Sequence, residues 1–224
     1  DGVGGLWNID NPRSTMYESA HLISSRTTTE FRELPMTTAA DYPSHRELRK
    51  YFQAYSDRYD LGENFRFSTT VDRVEPADGG GWNVTSVREG SAPTIEHFDS
   101  VVLANGTLAH PNIPQFEGEF TGEIIHSADY KKATVFAGKR VLVVGAGNSG
   151  CDIAVDAAHH ADSIDLSVRR GYYFVPRYLF GKPADTFDQG RPLPARLKQF
   201  IDTRLLQMFT GDPVKFGFPR ADYK

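Results

Sequence analysis

The alternation of apolar and polar positions changes character several times along the chain, and each change predicts a different element. The first 40 or so residues are rich in Gly, Ser, Thr and Arg, show little periodicity and read as long loops. Leu48, Tyr51, Phe52, Tyr55 and Tyr59 then recur at helical spacing and predict one apolar helix face that packs into a core. Pro43-Ser44-His45-Arg46-Glu47 opens that helix, with Ser44 and Glu47 at the spacing of a capping box, and Gly62 suits its stop. Phe65, Phe67, Thr69 and Val71 alternate with polar or small residues, as in a half-buried strand. Asp78-Gly79-Gly80-Gly81 is a turn, Trp82 to Val87 the next strand and Thr94 to Phe98 a third. Together they predict a small antiparallel meander.

Two later stretches are unbroken apolar runs, the pattern of strands buried on both faces of a parallel sheet. The first is Asp99 to Ala104, ending in Asn105-Gly106. The second is Lys139 to Val144, followed by Gly145-Ala146-Gly147-Asn148-Ser149-Gly150, a helical run from Cys151 to His160 and a strand from Ile164 to Val168. A Pro-rich connector with Pro111 and Pro114 lies between them, and a domain boundary is expected near Ala133 to Gly138. The tail from Gly181 holds turn residues and one expected helix, Leu193 to Met208.

Composition narrows the function classes. The chain has 224 residues, 39% of them hydrophobic, so it can bury a core. Its net charge of −4 provides no global basic field for nucleic acid. No apolar run approaches the roughly 18–20 residues of a membrane span. Cys151 is the one cysteine, which excludes a disulfide framework, a multi-cysteine zinc site and an internal redox dithiol. With no initiator Met at Asp1 and no signal-like segment, the expectation is an interior piece of a longer cytoplasmic protein.

The strongest chemical signal is the strand–glycine turn–helix. Gly145 lets the chain turn out of the strand, Gly147 presents no side chain to a pyrophosphate, and Gly150 lets helix and strand pack closely. Asn148 and Ser149 at the helix start would hold the phosphates, which the helix dipole favours. The bland alternative is a structural glycine turn in another α/β protein. After the second strand, where an NAD enzyme carries Asp or Glu, stand Arg169 and Arg170. Two guanidiniums suit the 2′-phosphate of NADP; the alternative is a pair of solvated charges. Asp165 lies inside the strand and is a poor ribose ligand.

Three further segments point to a second cofactor. Phe120 to Tyr130 has the form F-x-G-x-x-x-H-x-x-x-Y, with Gly122, His126 and Tyr130 at the fixed positions. It resembles the identifying sequence of the flavin-containing monooxygenases, a family of FAD- and NADP-dependent enzymes. Gly4-Gly5-Leu6-Trp7 resembles the family's G-G-x-W segment on the FAD. Ala104 to Pro114, with Gly106, is similar to its A-T-G-x-x-x-x-P-x-x-P stretch, Asn105 standing where Thr is usual. The likeness runs from about Gly4 to Tyr223.

The resemblance implies an α/β fold of two dinucleotide-binding, Rossmann-like domains, the NADP domain inserted in the FAD domain. Residues 1–135 would be part of the FAD domain and 136–224 the first part of the NADP domain. The family's first GxGxxG would lie ahead of Asp1, and more chain is expected beyond Lys224. Gly4, Gly5, Leu6, Trp7, Val71, Ala104 and Gly106 are the implied FAD contacts. The implied reaction transfers one oxygen atom of O₂ from a C4a-hydroperoxyflavin to a soft N or S of a small molecule. Where the family often carries T-N-x-x-K this chain has Leu22-Ile23-Ser24-Ser25-Arg26, so Ser24 or Ser25 is expected to replace the Asn. Trp7 has two readings, stacking near the flavin or filling a core. His126 and Cys151 are read as structural, and adjacent His159 and His160 as no metal site. Rival functions are Baeyer–Villiger oxidation of ketones and a non-catalytic NADP-sensing module.

Overall fold

The computed structural model describes residues 2–108, 110–187 and 194–221. Asp1, Leu193 and Tyr223, which bound some of the sequence expectations, lie outside the described residues. A 3-10 turn at Gly5–Trp7 leads through loops to a short helix, α1 (Arg26–Thr29), and then to α2 (His45–Arg58). The meander follows as β1 (Thr69–Pro76), β2 (Trp82–Arg88) and β3 (Thr94–Phe98). After a long irregular stretch come a 3-10 turn at Ala133–Phe136, β4 (Arg140–Val144), α3 (Asn148–His160) and β5 (Ser163–Ser167). A small hairpin of β6 (Tyr178–Leu179) and β7 (Lys182–Pro183) precedes α4 (Ala195–Thr210).

The capping box forms as the spacing predicts. The Glu47 N–H donates to Ser44 Oγ, and the Ser44 N–H donates to Glu47 Oε2 at 2.8 Å. Bonds from Thr38 and Ser44 hold the Glu47 carboxyl below its usual range. Leu48 and Tyr51 are buried with Leu22 and Met36, and Trp7, Leu34 and Phe52 pack against them. The Tyr51 hydroxyl donates to the Leu34 carbonyl and accepts from the Phe31 N–H, both at 2.7 Å. The stripe does not stay buried to its end, for Tyr59 is the exposed C-cap. Nor does Gly62 stop the helix: Asp60 does so in a left-handed conformation, and Gly62 falls inside the next 3-10 turn.

The meander is antiparallel in the order β1-β2-β3, with a bulge between Val71 and Arg73. Phe65 and Phe67 stand before it, because Ser68 takes a left-handed conformation (φ 54°) that breaks the extended chain. The two rings stack on each other at 5.3 Å instead.

The second apolar run folds and the first does not. β4 and β5 pair in parallel, Val141 opposite Ile164 and Val143 opposite Leu166. Val141, Val143 and Ile164 meet α3 through buried Ile153 and Ala157, in a core that also holds Tyr17, Ala20, Tyr130 and Phe136. The expected boundary near residues 133–138 therefore runs through a shared core. The opposite face of β4, Leu142 and Val144, is exposed rather than buried. The run 99–104 is no strand at all: Val102 is 88% exposed. A strand needs a ladder partner for its N–H and C=O groups, and no described strand lies beside it. The chain as a whole exposes 16971 Å², where a compact folded chain of this mass exposes roughly 10,000 Å². Much of its apolar surface is uncovered.

Candidate dinucleotide site

The site begins where β4 ends. Gly145 has φ 106°, a conformation that favours glycine, and turns the chain back toward β5. Its N–H donates to the Ser167 carbonyl at 2.9 Å, so the turn is bonded to the last residue of β5. Gly150 then sits so close beneath it that a Cβ would lie 2.1 Å from the Gly145 oxygen. Only glycine allows α3 this seat. A Cβ on Gly147, by contrast, would meet nothing within 4 Å. That position faces open space, as a cradle for a ligand must.

The first turn of α3 has no side-chain cap. The first bond back to the turn runs from the Cys151 N–H to the Gly147 carbonyl, so the N–H groups of Asn148, Ser149 and Gly150 have no place in the helical ladder. Free donors, an open glycine and the positive end of a 13-residue helix suit a pyrophosphate. Arg169 and Arg170 are exposed just past β5, two and three residues beyond the Ser167 that the turn binds. Arg170 lies over the Tyr172 ring at 5.9 Å, and among the described residues neither arginine has a carboxylate partner. Asp165 pairs with Leu142 inside the sheet. Cys151 is no activated thiol: burial, then the Asp152 charge, pushes it up, and it donates to the Ala146 carbonyl at 3.7 Å.

α3 is anchored from far along the chain by contacts that the sequence reading did not foresee, Tyr130 having stood there only as a motif position. The Tyr17 hydroxyl donates to Asp152 Oδ2 at 2.8 Å. Tyr130 and Ser19 both donate to Asp156 Oδ2, at 2.7 and 2.5 Å. Burial, followed by these bonds to carboxylates, holds the Tyr17 and Tyr130 phenols above their ordinary value. Asp152 and Asp156 are four apart, a spacing that puts both on one helix face, and that was the available signal. Lys131 adds bonds to the Ser14 and Met16 carbonyls at 2.5 and 3.2 Å. His126 has a local structural role: its Nδ1 accepts the Ala128 N–H at 3.2 Å.

The other expected contacts are more scattered. Trp7 packs against the α2 core. Val71 is exposed on β1, and Ala104 and Gly106 are exposed in the irregular stretch. No hydrogen bond or ring contact among the described residues joins them to Gly4, Gly5, Leu6 or Trp7. Ile23 is exposed, and beside it the Ser24 hydroxyl pairs with Thr29 Oγ1 at 2.8 Å. Ser25 departs from expectation, because it is 1% exposed and caps α1 from beneath. Its hydroxyl lies 3.3 Å from those of Thr27 and Thr28, and its N–H donates to Asp185 Oδ2 at 2.7 Å. Its side chain is spent on the turn and is not open to a ligand. Burial opposes the charge on Asp185, but the bonds from Ser25 and Thr28 outweigh it and hold the carboxyl below its usual range.

Comparison with known proteins gives a consistent result. Residues 1–223 match the family described as flavin-binding monooxygenase-like. Flavin-containing monooxygenase 5 of Homo sapiens is 35% identical over 217 residues, 90% of this chain and 39% of that protein. Flavin-containing monooxygenase 1 of Oryctolagus cuniculus is 33% identical over 246 residues, 100% of this chain and 44% of that protein. The closed crystal structure of cyclohexanone monooxygenase is similar at a TM-score of 0.61 and 26% identity, over 93% of this chain and 37% of that one. The chain spans roughly two fifths of the length of these curated relatives.

Proposed function

Since the chain belongs to the flavin-binding monooxygenase-like family, we propose that it is the NADP-binding and part of the FAD-binding portion of a monooxygenase acting on a soft N or S of a small molecule. One observation carries the nucleotide half of this reading: an uncapped helix start behind an open glycine, bonded to the strand end that leads to two arginines with no carboxylate partner among the described residues. When bound, the cofactors supply a hydride and an activated oxygen atom derived from O₂.

The residues of the chain bind and orient. The N–H groups of Asn148, Ser149 and Gly150 hold the pyrophosphate, with Gly145 and Gly147 shaping the approach. Arg169 and Arg170 hold the 2′-phosphate. Gly4, Gly5, Leu6, Trp7, Val71, Ala104 and Gly106 serve the FAD side, from a division at 135/136. Ile23 and Ser24 border the reacting centre, Ile23 keeping water off and Ser24 offering a hydroxyl. Ser25 supports them from below. The role assigned to Ile23 and Ser24 rests on their place in the family pattern and on the exposure of Ile23.

NADPH oxidation with O₂ uptake by the full-length protein tests the reading, and an inert protein rejects it. Arg169→Ala is expected to weaken NADPH by about 10- to 150-fold, from a charge-assisted bond of about 1.5–3 kcal/mol. NADH should be barely affected. Equal losses for both nucleotides would remove the arginine from phosphate binding. Ketone oxidation is the second reading, supported by the likeness to cyclohexanone monooxygenase. Tyr130 at the end of the identifying motif favours N or S. Product analysis with a thioether and a cyclic ketone separates the two.

A further inference from the structure

The turn that carries Ile23 and Ser24 is too short to hold itself. α1 has four residues, well below the length at which a helix is stable alone. Inside it, Thr29 Oγ1 donates to the Ser25 carbonyl at 3.0 Å, and Thr29 also pairs with Ser24. Its firmest outside partner is a carboxylate 160 residues away. The Ser25 N–H and Thr28 Oγ1 both donate to Asp185 Oδ2, each at 2.7 Å. Thr28 Oγ1 also lies 3.0 Å from the Ser25 carbonyl, but one hydroxyl proton serves one strong acceptor, and the charged, nearer one takes it.

Asp185 is itself well placed to hold something. It lies in a 3-10 turn, Ala184–Thr186, directly after β7. The Ala184 N–H donates to the Arg177 carbonyl at 2.8 Å, closing the hairpin. The Tyr42 hydroxyl reaches the same carbonyl at 2.5 Å, and the Tyr42 ring meets Tyr178 edge-on at 5.5 Å. The Arg26 N–H donates to the Asp41 carbonyl at 2.7 Å, so the segment that grips the hairpin also grips the turn. The second oxygen, Asp185 Oδ1, is buried and has no hydrogen-bond partner among the described residues. The half-buried carboxylate costs desolvation that its own backbone N–H offsets only in part; the other donors, the Ser25 N–H and the Thr28 hydroxyl, belong to the turn.

We infer that Asp185 is a positioning residue, whose carboxylate fixes the Ser24–Thr29 turn to the segment following the nucleotide fold. This rests on the proposal that Ile23 and Ser24 border the reacting centre. The edge of that centre would then be set by chain lying beyond the NADP site, and not by the loop's own sequence.

The test uses the full-length protein with two variants, Asp185→Ala and Thr28→Val, the second removing one donor and leaving the carboxylate. Amide hydrogen exchange reads the turn directly. Asp185→Ala should speed exchange at residues 25–29 by about tenfold or more, and Thr28→Val by less, with β4 and α3 unchanged. NADPH and O₂ without substrate read the chemistry. In uncoupled turnover NADPH, H⁺ and O₂ give NADP⁺ and H₂O₂, and its rate should rise several-fold while the KM for NADPH stays within about twofold. Unchanged exchange in both variants overturns the inference. Faster exchange with an unchanged H₂O₂ rate in an active protein also overturns it. If Asp185→Ala does not fold, Thr28→Val decides by the same two readouts. A wild type that does not oxidise NADPH rejects the proposed function alone, and the exchange data then decide whether Asp185 holds the turn.

Discussion

Residues 99–106 and 139–150 have the same design on paper, an apolar run that ends at glycine, and only the second becomes a strand. β4 finds β5 at its side and α3 over one face, all within 28 residues from Arg140 to Ser167. The earlier run finds neither. The difference teaches that an apolar run specifies a strand only together with a neighbour for its backbone and a cover for its side chains. Even β4 has a cover on one face alone, as the exposure of Leu142 and Val144 records.

The comparison can be broken most forcefully at its folded member. Val143 lies on the covered face, against Ile153 and Ala157, and Val143→Asp should cost about 3 kcal/mol or more by burying an unpaired charge. Chemical denaturation followed by circular dichroism measures it. The two glycines come next. Gly150→Ala drives a methyl into the Gly145 carbonyl, at about 1–3 kcal/mol, and should abolish nucleotide binding. Gly147→Ala meets open space, so stability should hold within about 0.5 kcal/mol while calorimetry shows NADPH binding about tenfold weaker. Equal damage from both would mean that Gly147 faces protein and not ligand.

A smaller effect separates α3's anchors from its turn. The folded state keeps the Tyr17 and Tyr130 protons at a pH where the unfolded chain releases them. Their contribution is therefore whole below pH ~10 and is lost as pH rises beyond it. Denaturation midpoints between pH 9 and 11 should fall more steeply in the wild type than in Tyr17→Phe with Tyr130→Phe, at a cost of about 1 kcal/mol per lost bond at neutral pH. The smallest effect belongs to the unfolded member. Val102 is exposed, so Val102→Asp should change stability by no more than about 0.5 kcal/mol. A loss several times larger would show the run to be covered.

How much the sequence revealed follows the range of the interactions. The capping box, the meander and the β4–α3–β5 unit are set by neighbours a few to about 25 residues apart, and periodicity with turn chemistry finds them. Gly145, Gly147 and Gly150 were legible because each answers a local steric demand. The failures are positions decided from far away. Ser25 looked like a free hydroxyl until Asp185 drew its backbone into a buried bond. The motif gave Tyr130 its place but not its partner, since the hydroxyl donates to Asp156 on α3. Phe65 and Phe67 kept the strand's alternation, but one residue, Ser68, turned the backbone away.

The bond between Tyr17 and Asp152 closes a span of 135 residues, and that bears on the order in which the chain can fold. The α2 cluster, with Trp7 and Leu48, has all its members present by residue 52. Tyr17 and Ala20 must wait for Ile153 and Ala157. At a synthesis rate of about 5–20 residues per second, 135 residues take roughly 7–27 s. During that interval Tyr17 and Ala20 have no Ile153 or Ala157 to pack against. A contact of such high sequence separation carries a loop-closure cost that the local α2 cluster does not, and contacts of that kind slow folding.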